Sequence, residues 1–508
     1  MEIISSGMGL YGRRRIYSNS DVITADNVIQ EVNNALAPHM ENMKEEEYLY
    51  WYRKGMQPIL ERHKQIRPEI CNKVVVNNAD MIVTFKDGYF LTKPATYISR
   101  KEDEAVTNKI KELNEYVNLS GKYVADNQVV DWFHTVGLGV LYVEPNDEDG
   151  IPFKAYALDP RSSFVVYSMS PGNKPVMGIN IVKQTIKQDG ADKTVLMIDV
   201  FTKNNKFTLK GRPLSSVEIT YGYNPDVTAL SVETVEPNYV GEIPIVEYTY
   251  NKLRMGAFES VLSLMDEINN VQSNRADGIE QFIQSLMVLY NCEIDEGTTA
   301  NDIREMGFIA LKNSGDNKAN LDIISQQLDQ SQTQTTLKDL YEQMLDKAGV
   351  PSSIHDGGSS SDTGSAVYLR NGWAVADTCA RNTEDEFKQA NAYFDNIILS
   401  ILKRKVEGFS LNRSDFELKI VRNDVSNLLV KTQAAMNMKE LGFAPALAFE
   451  RSGLSNDPLT DVEVSKEYIE KTWNTEKEPV VSDNDGELDD SAVQSALEPK
   501  DRVEGDES

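Results

Sequence analysis

The sequence predicts a multidomain α+β protein in which long helices accompany a mixed or antiparallel sheet. The chain has 508 residues, of which 40% are hydrophobic and 8% aromatic, so it can bury several cores. Short β-branched and aromatic runs fill residues 139–250. Apolar residues at intervals of three and four dominate before and after that block. These changes of period define the predicted domain boundaries.

The N-terminal half is predicted to combine helices with a sheet. Residues 1–25 show no clear period and are predicted to be a flexible N-terminus. Helical spacing runs from Asp26 to about Leu60 and returns between Asp103 and Thr135. Eight strand-like runs then follow, separated by Gly, Pro, Asn and Asp: 139–144, 153–158, 163–168, 178–184, 194–202, 206–210, 217–221 and 243–250. Residues 26–253 therefore form a predicted α+β domain.

A long helical segment over residues 254–288 follows the sheet. Gly278 is a point where this helix could bend, because glycine costs about 1 kcal/mol relative to alanine inside a helix. If it continued unbroken to Leu289, the helix would be roughly 50 Å long. Short strand-like pieces occupy residues 289–328 and predict a small β module.

A second helix is predicted over residues 329–349, where Gly349 and Pro351 provide the usual C-terminal signals. Both helices carry one narrow apolar stripe, so each needs a neighbour. That neighbour could be an identical copy or another part of the same chain. The second helix also carries a polar stripe, which we expect to face water: Gln334, Lys338, Glu342 and Asp346.

The rest of the chain divides into four predicted segments. Residues 350–364 are rich in Gly and Ser and predict a mobile loop. A long helix over 365–404 follows, and a mainly helical region occupies 405–474. Residues 475–508 are acidic with few large apolar residues, so they are predicted to be a disordered tail.

The formal net charge of −27 limits the kinds of partner that the chain can hold. Tight binding of duplex DNA requires Lys and Arg to neutralise phosphates, but this chain has 52 Lys and Arg against 79 Asp and Glu. An acidic protein past which DNA slides remains compatible with the composition. Three cysteines that are far apart, Cys71, Cys292 and Cys379, predict no disulfide framework and fit a reducing compartment. No apolar run reaches the ~18 residues of a membrane span, and no secretion signal is recognised.

The sequence contains no motif that predicts catalysis, and we expect neither an enzyme nor a cofactor. A phosphate-binding loop of the GxxxxGK[ST] type is missing. The histidines lie outside metal-ligand spacing: His39, His63, His134 and His355. Asp415 and Glu417 are carboxylates of the kind that a nuclease site would need. Alternating charges on one strand, however, more often form a solvated face.

Three stretches, in the same order along the chain, resemble phage portal proteins of the SPP1 type. Residues 48–100 resemble the N-terminal signature of that family, and 274–291 resemble its central helix at the start of the clip. Residues 349–387 resemble its tunnel loop and the helix that follows. The resemblance implies the portal fold: a wing (26–253), a stem (254–288 and 329–349), a clip (289–328), a tunnel loop (350–364), a tunnel or wing helix (365–404) and a crown (405–474).

The resemblance also implies a function and a set of partners. Portal proteins of this family form a ring of about twelve subunits, through which double-stranded DNA enters and leaves the capsid. The terminase large subunit docks on the clip, and a head-completion adaptor replaces it afterwards. Major capsid and scaffolding proteins are further expected partners, whereas a membrane is not. The expected location is the portal vertex of the virion, after assembly in the host cytoplasm.

Two further sets of functional residues follow as expectations. The loop is expected to project inward and contact DNA through Ser352, Ser353, His355, Asp356, Gly357, Gly358, Ser359 and Ser360. The expected clip interface consists of Asn291, Glu293, Phe308 and Lys312. Two alternatives stay open: another connector or minor head protein, and a nucleic-acid enzyme with a divergent carboxylate site at Asp415 and Glu417.

Overall fold

The computed structural model describes residues 12–420 and 428–469, with gaps at 66, 102, 149, 189–190, 215–229, 284–285, 291, 294–311, 314–319, 325–329, 353–371, 456–457 and 467. Two compact units divide between Asn427 and Leu428. None of the helices in this part of the chain combines the length and apolar character that a membrane span requires.

The helices and strands alternate along the chain much as the sequence periods predict. The helices are α1 (Val28–Arg53), α2 (Asn78–Phe90), α3 (Glu104–Leu119), α4 (Lys122–Val136), α5 (Leu262–Ile283), α6 (Gln330–Ala348), α7 (Trp373–Lys405), α8 (Leu428–Glu440), α9 (Pro445–Ser452) and α10 (Pro458–Val464). The strands are β1 (Ile16–Ser18), β2 (Thr96–Ser99), β3 (Leu138–Pro145), β4 (Phe153–Leu158), β5 (Ser163–Ser168), β6 (Pro175–Gln188), β7 (Ala191–Phe201), β8 (Asn205–Pro213), β9 (Ser231–Pro237), β10 (Ile245–Thr249), β11 (Leu286–Tyr290), β12 (Cys292–Glu293), β13 (Lys312–Asn313), β14 (Asn320–Ile324) and β15 (Phe416–Lys419).

The largest sheet has six strands in the order β1-β5-β6-β7-β8-β9. β1 runs parallel to β5 and the other neighbours are antiparallel, so the sheet is mixed, as predicted. One face of it packs on α1, where Val28, Val32 and Leu36 are fully buried. The predicted strand over 217–221 lies outside the described residues, whereas β1 and β9 were not predicted.

The expectation of a flexible N-terminus is wrong for residues 12–25. Ile16 pairs with Val166 of β5 and is 3% exposed, and Ile23 is also buried. Arg13 is 2% exposed. The segment is too short and too polar to show a period, but its few apolar residues fill the edge of the large sheet. Its order therefore comes from tertiary packing rather than from local pattern.

A second sheet, in the order β10-β3-β4, lies against α4 and α7. The core between them holds Phe133 of α4 with Phe387 and Phe394 of α7, all fully buried. The 33 residues of α7 make it the longest helix in the described part of the chain, and its buried face contributes to this core along much of its length. The second sheet therefore anchors α7 firmly in the first unit.

The helix that follows the second sheet is shorter than the sequence predicts. A 3-10 turn at Glu259–Val261 leads into α5, which continues through Gly278 and ends at Ile283. At about 1.5 Å per residue its 22 residues span about 33 Å rather than roughly 50 Å. Residues 286–288, predicted as helix, belong to β11, because Val288 and Tyr290 favour a strand once a pairing partner is present. β11 pairs with β14, and β12 pairs with β13, which gives the small β module.

The predicted boundary of a helical region at residue 405 is also wrong. β15 pairs antiparallel with β2, in the register Phe416 to Ser99. Phe409, Leu411 and Phe416 are buried in the same core as α7. Residues 405–420 therefore belong to the first unit, because their apolar side chains pack into its core. The second unit, considered by itself, contains α8, α9 and α10.

Candidate functional site: a helix pair and the root of a long loop

Most apolar residues that the structure describes on α5 and α6 are covered within the chain, and Ile279, at 51% exposed, is an exception. Met265 and Ile268 of α5 are buried together with Met344 and Leu345 of α6. The same cluster includes side chains from α1 and α2: Leu49, Tyr52, Ala79, Ile82 and Val83. Of the two kinds of neighbour that the sequence leaves open, the structure shows the intramolecular one. The core of the helix pair is thus formed within a single subunit.

A polar ladder on α5 holds a segment that we call the strap, residues 57–77, which begins with a 3-10 turn at Pro58–Glu61. Side-chain oxygens of Asn269, Ser273 and Asp277 accept hydrogen bonds from three backbone N–H groups of the strap. The donors, in the same order, are Val76 at 2.8 Å, Val74 at 2.9 Å and Asn72 at 2.7 Å. Four residues of helix rise about 6 Å, and two residues of extended chain advance about 6.6 Å, so the two repeats match.

The lower end of the ladder is also an electrostatic anchor. Arg62 and Lys64 of the strap lie 3.1 and 2.8 Å from the Asp277 carboxylate. Burial opposes ionisation of Asp277, but the hydrogen bonds from Lys64 and Asn72 outweigh it and lower the pKa of this carboxyl. At the upper end, Asn269 donates to Gln57 at 2.5 Å. The strap is therefore fixed along the whole of the polar face of α5.

The predicted polar stripe of α6 divides between two environments. Lys338 and Asp346 are exposed to water, and Lys338 lies 4.0 Å from the half-buried Glu342. Gln334 is exposed but accepts a hydrogen bond of 2.7 Å from Arg275 of α5. The N-terminal end of the stripe thus contributes to helix pairing.

The chain leaves α6 and enters α7 at one place on the first unit. Gly349 ends α6 with a φ of +66°, and a Cβ there would lie 3.0 Å from Sγ of Cys379 in α7. The next residue, Val350, donates to the carbonyl of Leu345 and is buried. On the far side, a Cβ on Gly372 would lie 3.7 Å from Cα of Pro351. The chain between these points therefore leaves and returns through a narrow root.

The other predicted loop and clip residues are only partly described. Ser352 is 2% exposed at the root of the loop, whereas Ser353, His355, Asp356, Gly357, Gly358, Ser359 and Ser360 lie outside the described residues. In the β module, Glu293 and Lys312 occupy directly opposite positions on β12 and β13. Asn291 and Phe308 also lie outside the described residues.

A buried charge cluster, which the sequence did not predict, joins the N-terminal segment to α1 and to the turn before α5. Arg13 lies 2.8 Å from Glu259 and 3.1 Å from Glu45. Arg254 lies 2.6 Å from Glu247 of β10 and donates to the carbonyl oxygen of Arg13 at 2.8 Å. All five side chains are buried or nearly so. We call this set the Arg13 cluster.

Glu46 lies beside the Arg13 cluster as a wholly buried carboxyl. Within the described part of the chain, neither of its oxygens has a hydrogen-bond partner. Burial raises the pKa of Glu46 to about 8; Asp159 and Glu247 add to this rise, while Arg13 and Arg254 oppose it. Glu46 therefore holds a proton at neutral pH, which spares the fold an unpaired buried charge.

The pKa of Glu46 predicts a specific pH dependence of stability. Its folded-state pKa lies above its ordinary value of 4.5, so its favourable contribution is complete below about pH 4.5 and is lost as the pH rises through about 8. We expect Glu46→Gln to match the parent near pH 5 and to be more stable by about 1–3 kcal/mol near pH 9. Urea denaturation at both pH values measures the difference.

The control for this prediction is Glu41→Gln, which changes an exposed glutamate on the same helix. The control should follow the parent at every pH. A Glu46→Gln protein whose stability fell with pH as steeply as that of the parent would show that Glu46 is not the titrating group.

His39 and His134 are buried core residues. His39 stacks on Phe164 at 3.9 Å, and burial lowers its pKa to about 4. Nδ1 of His134 lies 2.6 Å from Asp87, and burial lowers the pKa of this histidine while raising that of Asp87 to about 6. Among the described residues, no group of three or more His, Cys, Asp or Glu side chains could hold a metal ion.

The carboxylates considered for a nuclease site are held in ion pairs. Asp415 lies 2.6 Å from Lys101, and Glu417 lies 3.3 Å from Arg100. The hydrogen bond from Lys101 lowers the pKa of Asp415. Each acid is thus matched by a cation from the segment that follows β2. Glu417 is exposed, as expected for a solvated strand face, but the expectation is wrong for Asp415, which is 5% exposed and lies in the 3-10 turn before β15.

The helix pair and the small β module between its members are arranged in the order that the resemblance to portal proteins implies. The family model for phage portal proteins, SPP1 Gp6-like, matches residues 28–478, which is most of the chain. The chain belongs to this family, and the resemblance noted in the sequence is confirmed. No curated protein matches the chain. It is a bacteriophage portal protein that serves DNA packaging at a capsid vertex, and neither alternative function has support.

Proposed function

We propose that about twelve copies of this chain form a closed ring around a DNA channel. The observation that carries the proposal is the family match over residues 28–478, together with the order of elements from α5 to α7. In this ring the β module between α5 and α6 would be the clip, and the helix pair would be the stem. The wing would comprise residues 12–253 with α7 and residues 405–420, and α8 to α10 would belong to the crown.

The proposed channel wall is acidic overall, which suits passage of DNA in both directions. A net charge of −27 on each subunit gives weak or repulsive contact with phosphates. Because Pro351 and Gly372 lie close together between α6 and α7, movement of the predicted loop between them would leave the core of the subunit undisturbed. We propose that twelve such loops form an adjustable constriction around the DNA.

The proposed partners follow the family. The terminase large subunit would dock on the β module during packaging, with Glu293 and Lys312 as candidate contacts. A head-completion adaptor would take its place afterwards, and major capsid and scaffolding proteins would surround the ring. Assembly would take place in the host cytoplasm and would need no cofactor.

Replacement of Gly357 and Gly358 by proline tests the role of the loop. Proline fixes φ near −65° and removes an N–H donor, so the loop should lose its range of conformations. We expect rings of normal size and a DNA packaging yield that falls by about tenfold or more, since the constriction could no longer adjust. The matched control places alanine at the same two glycines, which keeps both N–H donors and most of the range of conformations, so it should package normally. Normal packaging by the proline variant would refute the proposed role.

A further inference from the structure

The chain enters the described part of the structure beside the turn before α5. Gly12 has a φ of +78°, and a Cβ on it would overlap the carbonyl oxygen of Leu253. Arg13 donates its backbone N–H to the carbonyl oxygen of Arg254 at 2.9 Å, and the Arg254 side chain donates in return to the carbonyl oxygen of Arg13 at 2.8 Å. These contacts fix the point at which the preceding residues 1–11, which we call the N-terminal arm, are attached.

The same turn forms one side of a groove of about 670 Å³, and α7 forms the other. Volumes of about 300–1,000 Å³ are typical of clefts that bury a ligand. Leu253 lines the groove and is 70% exposed, and Cys379 of α7 lines it as a partly buried free thiol. The described part of the chain thus leaves an exposed leucine beside an open cleft, next to the attachment point of the N-terminal arm.

The N-terminal arm has the composition of a segment that packs against the protein. Six of its eleven residues are apolar or aromatic, against 40% of the whole chain: Met1, Ile3, Ile4, Met8, Leu10 and Tyr11. Its one charged side chain is Glu2, which is opposite in sign to Lys252 of the groove. Lys252 and Asp385 are exposed, so both can stay hydrated while apolar groups fill the centre of the groove.

The length of the N-terminal arm is also sufficient. Eleven residues of extended chain reach at most about 36–40 Å. The side of the groove that α7 forms, from Cys379 to Gln389, spans about 15 Å at 1.5 Å per residue. The arm can therefore follow the groove from the turn before α5 and still bend within it.

We propose that the N-terminal arm lies in this groove of its own chain and covers Leu253 and Cys379. The proposal goes beyond the proposed ring and does not depend on it. Attachment at Gly12 gives the arm an effective concentration in the millimolar range at the groove, so even weak apolar contacts keep it bound. Packing of its isoleucines and leucine against Leu253 removes apolar surface of both from water. Residues 12–25 are ordered in the same way, by tertiary packing.

Alkylation of Cys379 tests the proposal in the unassembled full chain and in a variant that lacks residues 2–11. A bound arm shields the thiol, so we expect the rate of its reaction with iodoacetamide to rise by about tenfold on deletion. Cys71, a partly buried free thiol on the strap, is the internal control, and its rate should not change. Mass spectrometry of the peptides separates the two sites. An unchanged rate at Cys379 would overturn the inference.

Leu253→Glu tests the groove while the N-terminal arm keeps its sequence. Leu253 is exposed, so the fold should tolerate the change, but a carboxylate there opposes burial of apolar side chains. We expect chymotrypsin to cleave after Leu10 and Tyr11 about tenfold faster, together with faster alkylation of Cys379. The matched control is Leu119→Glu on α3, where the leucine is 63% exposed, and it should behave like the parent. Equal rates in the two variants would refute the docking of the arm.

The same measurements on assembled protein distinguish the arm of the same chain from a neighbouring copy. The proposal predicts that Cys379 is shielded to the same extent before and after assembly. Shielding that arises only on assembly would contradict it, because a neighbour would then cover the groove. If the parent forms no ring, the proposed function fails, whereas shielding in the single chain still supports this inference.

Discussion

Replacing Arg13 with methionine is expected to lower the free energy of unfolding by about 3–5 kcal/mol. Arg13 is the cation between Glu259 and Glu45, and both carboxylates are largely removed from water. Methionine fills similar space but leaves these acids without their partner, next to the buried Glu46. The cost of removing these carboxylates from water is then no longer offset, and it lowers the free energy of unfolding. Urea or thermal unfolding of the unassembled subunit measures the loss.

Arg14→Met is the matched control for this prediction. Arg14 also pairs with Glu45, at 3.0 Å, but its side chain is 43% exposed. Because water screens that pair, its loss should cost about 1 kcal/mol or less. Hydrogen exchange in Arg13→Met should rise most around residues 250–259, where the cluster holds the turn before α5. Equal losses in the two variants would mean that Arg13 only fills space.

Replacing Asp277 with alanine is expected to release the lower end of the strap and to cost about 2–3 kcal/mol. Asp277 accepts from the backbone and the side chain of Asn72 and pairs with Lys64 and Arg62. Without it, the backbone N–H of Asn72 loses its acceptor in a partly buried position. Limited proteolysis near residues 62–73 should become faster, while the core of the helix pair stays protected.

Glu267→Ala controls for the loss of an acidic residue from α5. Glu267 is exposed on the same helix, so its removal should leave both the stability and the proteolysis of the strap unchanged. An Asp277→Ala protein with an equally protected strap would contradict the ladder as the means of attachment. In that case the apolar contacts of Ile59 and Ile70 would have to hold the strap instead.

Local periodicity was sufficient for most helices and strands because their buried faces are continuous in sequence. The apolar stripe of α7 and the β-branched and aromatic runs of β3 to β8 are strong signals of this kind. The end of α5 was missed because residues 286–288 suit a helix until β14 offers them a partner. In the same way, β15 could be assigned to the first unit only through its pairing with β2.

The polar interactions that organise the candidate site could not be predicted from the periodicity of the sequence. Asn269, Ser273 and Asp277 look like an ordinary polar face of a helix, and their donors lie about 200 residues earlier in the chain. Arg13 lies in a segment without any pattern, yet it bonds residues on two distant elements. A buried polar residue leaves no periodic signal, because only its tertiary partners distinguish it from a solvated one.

The most direct test of the central claim is the mass and shape of the purified full chain under capsid-assembly conditions. Multi-angle light scattering combined with negative-stain imaging measures both. A ring of twelve copies of a 57.0 kDa chain gives a mass of about 0.7 MDa and an annular particle with a central hole. A compact particle of a single chain, with no annular particles on the grid, would contradict the proposal that this protein forms a channel for DNA.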